Sequence, residues 1–252
     1  MNTVRRRKTF MTQRQAVKYL GTYLWKRERF GAVFTLIFAI YMGSIISLDI
    51  DSTWKEDEFP RVLGGMVDWI YLTMFPIFGM VMNKTSIGMW RDDYYTKRTA
   101  HWRTMPIPIA AIVQARYLQT AVVLPIISVV FLLLQYVVAP NLRESISLMQ
   151  WIENGLIWIC YAFIINVLFV LWELGYSGKL YCLFYFGFML MMSILVAILT
   201  WQRVHLFQEM LKLTQEGHAP VIIIGLAITV AAAFWIGNKV TINRIKKRSI
   251  TF

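Results

Sequence analysis

The chain has 252 residues, 58% of them hydrophobic, and a mean hydropathy of +0.52, which is more apolar surface than one soluble domain of that size can bury. Its formal net charge of +12 forms no single basic stripe. The cations fall in the gaps between long apolar runs, which excludes a nucleic-acid-binding role and points to membrane sidedness.

From the N-terminus, residues 1–29 form a polar and basic leader with no small-residue cleavage pattern, so the sequence predicts no cleavable signal peptide and insertion through the first membrane helix itself. Within the leader, Phe10, Val17, Leu20, Tyr23 and Leu24 share one side of a helix, and Arg14, Lys18, Thr22, Lys26 and Arg29 share the other. This pattern predicts an amphipathic helix lying in the inner membrane interface.

Residues 30–252 then read as a six-helix transmembrane domain. The spans 30–48, 62–82, 118–139, 155–172, 180–201 and 221–237 are each long enough to cross about 30 Å of hydrocarbon at about 1.5 Å per residue. The expected fold class is therefore an all-α membrane protein. Asp68 falls near the outer end of the second span, where a carboxylate costs less than at a helix centre. Trp25, Trp69, Trp90, Trp151, Trp172, Trp201 and Trp235 fall near span ends, as headgroup-layer anchors do. The deepest polar residues, Gln135 and Asn166, either line a path or join helices by hydrogen bonds. Pro76 and Pro125 are expected to bend the second and third spans.

With the termini and the loops after the second and fourth spans on one side, that side holds 21 of the 26 Lys and Arg residues. The positive-inside rule makes it cytoplasmic, which predicts a multi-pass protein of the cell membrane with both termini inside. Asp49, Asp51, Glu56, Asp57 and Glu58 crowd the first outer loop. Between the fifth and sixth spans, Val204, Phe207, Met210 and Leu211 alternate with Gln208, Glu209, Lys212 and Glu216, which predicts an outer amphipathic helix.

The inner loop 83–117 is too long for a simple connection and mixes aromatics with charges. Pro106 and Pro108 should end a short helix near Thr104 and redirect the chain into the third span. No G-x-x-x-x-G-K-[ST] phosphate loop and no H-E-x-x-H zinc helix occurs, and His101, His205 and His218 match no metal pattern, so the chain predicts neither its own nucleotide site nor a metal site. Cys160 and Cys182 lie inside apolar runs and read as buried small residues.

The order of parts resembles the permease subunit of ATP-binding cassette transporters of the type-2 exporter class. The run MPIPIAAIVQARYL is similar to that family's Pro-Ile or Pro-Val element, with Ile or Leu six residues on and Lys or Arg ten on, here Pro106, Ile112 and Arg116. In the family, the preceding helix couples to the ATP-hydrolysing subunit. The resemblance implies that residues 91–102 do so here, with Arg91, Asp92, Asp93, Tyr94, Tyr95, Lys97, Arg98 and Trp102 as contacts and the 176–179 turn, carrying Tyr176 and Lys179, as a second contact. It further implies no catalytic residue in this chain, ATP and Mg bound by a partner ATPase, and a second permease copy or homologue completing the path. The competing class, an ion-coupled secondary transporter or channel, calls for mid-membrane carboxylates, and a sensor calls for an attached signalling domain. Neither feature is visible in the sequence.

Overall fold

The computed structural model describes residues 11–53, 61–81, 90 and 93–248. Phe10, the loop acids Glu56, Asp57 and Glu58, the expected span end at Met82, and the expected contacts Arg91 and Asp92 lie outside these residues. The elements are α1 (Gln13–Thr53), α2 (Arg61–Thr73), a 3-10 turn (Phe75–Gly79), α3 (Tyr94–Thr104), α4 (Ile109–Val138), α5 (Pro140–Ser145), α6 (Leu148–Gly175), α7 (Gly178–Trp201), α8 (Leu206–Gln215) and α9 (Ala219–Lys247). Among the described residues there is no strand. The segments long and apolar enough to cross a membrane are α1, α2 with its 3-10 turn, α4, α6, α7 and α9. The protein is an all-α, multi-pass membrane protein.

Contacts fix which segments share an end of the bundle. Gln13 donates to Gln114 at 2.8 Å, α1 packs against Phe131 and Leu134 beside Gly43 three quarters of the way along it, and Asp51 accepts from the Asn141 N–H at 2.8 Å. Contacts therefore advance together along both chains, and α1 and α4 run parallel. The start of α1, α3, the α6–α7 turn and the end of α9 meet at one end, called here the basic end. Asp51, α5 and α8 lie at the other, where the Gln215 amide donates to the Ser145 carbonyl at 3.2 Å.

The leader differs from its sequence reading. No break occurs near residue 30: α1 is one helix of 41 residues, about 62 Å of rise. Its apolar face does not lie on lipid either. Ala16, Leu20 and Leu24 are buried in a cluster with Trp102, Ile112, Ala115, Leu174 and Ile245. A one-sided apolar stripe satisfies a protein groove as well as a membrane surface, and here protein takes it.

The second span is divided. Pro76 has no N–H to donate, and the chain passes from α2 into the 3-10 turn beginning at Phe75. By contrast α4 continues through Pro125. Asn166 in α6 donates its amide to the Pro76 carbonyl at 2.8 Å and to Ala162 at 2.8 Å, tying α6 to the turn. Gln135 in α4 accepts from the Tyr71 hydroxyl at 2.5 Å, and the Tyr71 ring meets Phe75, Phe131, Trp158 and Phe207 with centroids 4.8–5.9 Å apart. Gln135 and Asn166 are buried and tie helices together, the second of the two readings their sequence positions leave open. Trp151 is likewise buried, its indole N–H bonded to the Leu132 carbonyl at 3.0 Å, and is no headgroup anchor; Trp25, Trp201 and Trp235 are exposed.

At the opposite end, the buried carboxylate of Asp68 accepts from the N–H groups of Leu206 (2.9 Å) and Phe207 (2.8 Å) at the start of α8. A carboxylate placed on those orphan donors, at the positive end of the helix dipole, holds α8 over the bundle. Phe207 and Leu211 complete the seal by entering the core. Gly64 permits this approach: a Cβ there would stand 2.5 Å from the His205 ring.

Gly79 is similarly constrained, because a Cβ would overlap the Asn166 amide. Gly79→Ala is expected to destabilise the protein by about 1–3 kcal/mol. Combining it with Asn166→Ala is expected to cost less than the sum of the two single changes, measured by unfolding of the detergent-solubilised protein.

Candidate functional site

Helix α3 is a short polar helix at the basic end, and its limits follow from its sequence. Asp93, in the left-handed region at φ 44°, accepts from the Thr96 hydroxyl at 2.7 Å and from the Thr96 N–H at 3.4 Å as an N-cap. His101 and Arg103 occupy the last turn, where cations suit the dipole. The helix ends at Thr104, ahead of Pro106 and Pro108, as those prolines require. Tyr95, Arg98, Thr99 and Trp102 are buried on one face; Tyr94, Lys97, His101 and Thr104 are exposed on the other.

The inner face carries a charge cluster closed off from solvent. Arg98 donates to Glu28 of α1 at 3.3 Å and to Glu173 of α6. Arg116 of α4 donates through Nε to Glu173 at 2.9 and 3.2 Å and through Nη1 to Gln119 at 2.6 Å. The Gln119 amide passes the chain of bonds back to Glu28 at 2.8 Å. All four charged side chains are at most 6% exposed. Two guanidinium and two carboxylate groups cancel, the condition under which charges survive burial. Trp102 and Tyr95 add ring faces 4.9 and 5.2 Å from the Arg98 guanidinium carbon. Four elements, α1, α3, α4 and α6, thus meet in one net-neutral knot.

A second tie fastens α3 to the α6–α7 turn. The Asp93 carboxylate also accepts from the Gly178 N–H at 2.6 Å, at the first residue of α7, while Ser177 caps that helix. Arg248, just past α9, donates to the Leu174 carbonyl at 3.3 Å and to the Thr96 hydroxyl, and Arg103 donates to the Arg248 carbonyl at 2.8 Å. Partial burial opposes ionisation of Asp93, but the Gly178 and Thr96 donors and the nearby Arg248 outweigh it and hold the carboxyl below its ordinary 3.8. Burial, reinforced by repulsion from Arg244 and Arg103, lowers Arg248 in spite of Asp93. The guanidinium of Arg244 lies 4.5 Å from the Tyr176 ring centroid, so the turn and the tail make one continuous surface with α3.

The structure therefore sorts the expected contacts. Tyr94, Lys97 and Lys179 are exposed and Tyr176 is partly buried, all at this surface. Tyr95, Arg98 and Trp102 are turned inward and occupied, which corrects their reading as surface contacts; Asp93 faces its own helix and the turn. Ile112 and Arg116, one turn apart on α4, are buried beside Trp102 and Glu173 respectively, whereas Pro106 is exposed in the connection. Arg116 is thus part of the knot. Glu28, Gln119, Glu173 and Arg248 were not among the expected site residues. Their signal is compositional: Glu28 is the one acid in the leader, and Glu173 ends an apolar span on the cation-rich side.

No metal-holding group of His, Cys, Asp and Glu occurs among the described residues. No family model, curated protein or solved structure matches the chain.

Glu173→Gln leaves two buried guanidinium groups short of one countercharge and is expected to cost about 3–5 kcal/mol, read from denaturant or thermal unfolding in detergent. Asp93→Ala is expected to speed amide exchange at Gly178 by roughly tenfold or more, the size of a charge-assisted hydrogen bond. In the wild type the Asp93 contribution is complete above its ordinary value of 3.8 and is lost as pH falls through its lower folded value, so exchange protection of Gly178 should hold down to that range and then drop.

Proposed function

We propose that the chain is the membrane-spanning permease subunit of an ATP-driven transporter of the ATP-binding cassette type, an exporter, coupled to separate ATPase subunits. The observation that carries the reading is α3: a short helix with an outward face of Tyr94, Lys97 and His101 whose inward face is clamped by buried charges to α1, α4 and α6. A helix in that position transmits a push. Force applied to its outer face reaches three membrane-crossing helices through Arg98, Glu28, Glu173 and Arg116 without passing through a flexible linker.

In this reading the basic end is cytoplasmic, as the distribution of cations directs. The ATPase binds ATP and Mg and docks on Tyr94, Lys97 and His101, with Lys179 and Tyr176 at the rim. Aromatic and basic side chains together suit an interface core, and the Lys97 ammonium stands 5.9 Å from the Tyr94 ring centroid. A second permease copy or homologue completes the path, and no catalytic residue is needed in this chain. The family element Pro106, Ile112 and Arg116 gains a physical role: Pro106 helps end the docking helix, Ile112 packs on Trp102, and Arg116 shares Glu173 with Arg98.

The test is affinity purification from native membranes. The wild-type chain is expected to retain an ATPase carrying the phosphate-loop motif, and Tyr94→Ala with Lys97→Glu is expected to reduce its retention at least about tenfold, the loss of one interface hot spot, with unfolding temperature unchanged. Undiminished retention refutes docking on α3, and no co-purifying ATPase refutes the class.

A further inference from the structure

A groove outside the charge knot runs down the lipid-facing side of the bundle between α1 and α4. Trp25, Arg29, Ala32 and Leu36 line it from α1, and Val123 and Ile127 from α4; it is an open cleft of about 230 Å³. Ala32, flanked by larger side chains, supplies the depth. From residue 25 to residue 36 the helix rises about 16 Å, which matches the hydrocarbon of one leaflet, about 15 Å. The groove is apolar except at the end nearest the basic surface, where Arg29 stands beside the exposed Trp25.

Arg29 contrasts with its neighbour. Glu28 turns inward and is consumed by Arg98 and Gln119, while Arg29 is exposed on the lipid side, its guanidinium carbon 5.0 Å from the Phe30 ring centroid. Among the described residues no carboxylate pairs with Arg29. Lys26 is also exposed one turn before Arg29, which adds positive charge near the mouth of the groove at the depth where phosphate groups lie.

We propose that this groove is a binding site for one acyl chain of an anionic phospholipid of the surrounding bilayer. The phosphate of that lipid pairs with Arg29, and the chain lies over Ala32 between Leu36 and Ile127. A cationic mouth joined to an apolar slot of one-leaflet length selects a molecule with an anionic head and a hydrocarbon tail, and a zwitterionic lipid offsets the attraction with its own ammonium group. The proposal rests on the membrane-spanning fold alone and stands apart from the transport reading.

The experiment uses the full chain in nanodiscs of phosphatidylcholine, doped with phosphatidylglycerol or phosphatidylcholine carrying a photoreactive diazirine in the acyl chain, with labelled peptides read by mass spectrometry. Phosphatidylglycerol is expected to label α1 around Ala32 and α4 around Ile127 about fivefold more than phosphatidylcholine, the ratio one surface cation supplies. Arg29→Gln, an exposed position that leaves the fold intact, is expected to abolish that preference while chain labelling persists; Ala32→Trp is expected to remove labelling by both lipids. Equal labelling of the wild type by the two lipids, or a preference that survives Arg29→Gln, overturns the proposal.

Discussion

Charges removed from water in a membrane protein persist only where opposite charges neutralise and hydrogen-bond them, and at the basic end of this molecule that constraint brings four helices together. Glu28, Arg98, Arg116 and Glu173 come from four different helices, and no two of them are close enough in sequence to pair within one element. Each can be buried only if the other three are in place. The parallel course of α1 and α4, the seat of α3 against the bundle and the depth of the α6 end all follow from that mutual requirement. Around the knot, Leu20, Leu24, Trp102, Ile112 and Leu174 exclude water and raise the penalty for separating the charges.

The same economy recurs wherever an acid sits against the charge bias. Glu28, Asp93 and Glu173 are the described acids at the cation-rich end, and each fastens elements together. Lys and Arg on the outer faces of that end are left to solvent or headgroups. The few carboxylates at that end decide which cations are drawn into the bundle.

Much of this was legible from periodicity and length. Six apolar runs give six crossings, the prolines after Thr104 stop α3, and the Val204 to Leu211 pattern gives α8, because each is a local property of consecutive residues. What could not be read locally was the partner of an amphipathic face. Leu20 and Leu24 look the same whether they meet lipid or Trp102. Tyr95, Arg98, Thr99 and Trp102 do fall at helical spacing, which marks them as one face, but aromatic and basic residues on a polar loop suit an external interface equally well. Only the carboxylates from α1 and α6, 70 and 75 residues away from Arg98, decide that this face turns inward. The bend at Pro76 is local, but its tie to α6 depends in the same way on the amide of Asn166, 90 residues away.

Asp68 has a consequence for how the molecule is made. Its two hydrogen-bond donors lie 138 and 139 residues farther along the chain. At ordinary synthesis rates of about 5–20 residues per second, roughly 7–28 s separate the emergence of this carboxylate from that of the backbone that receives it. During that interval α2 is a poor candidate for release into bilayer. Its lateral exit from the insertion machinery is best served by waiting for the fifth crossing and the α8 segment, so that this part of the bundle leaves as a preassembled unit.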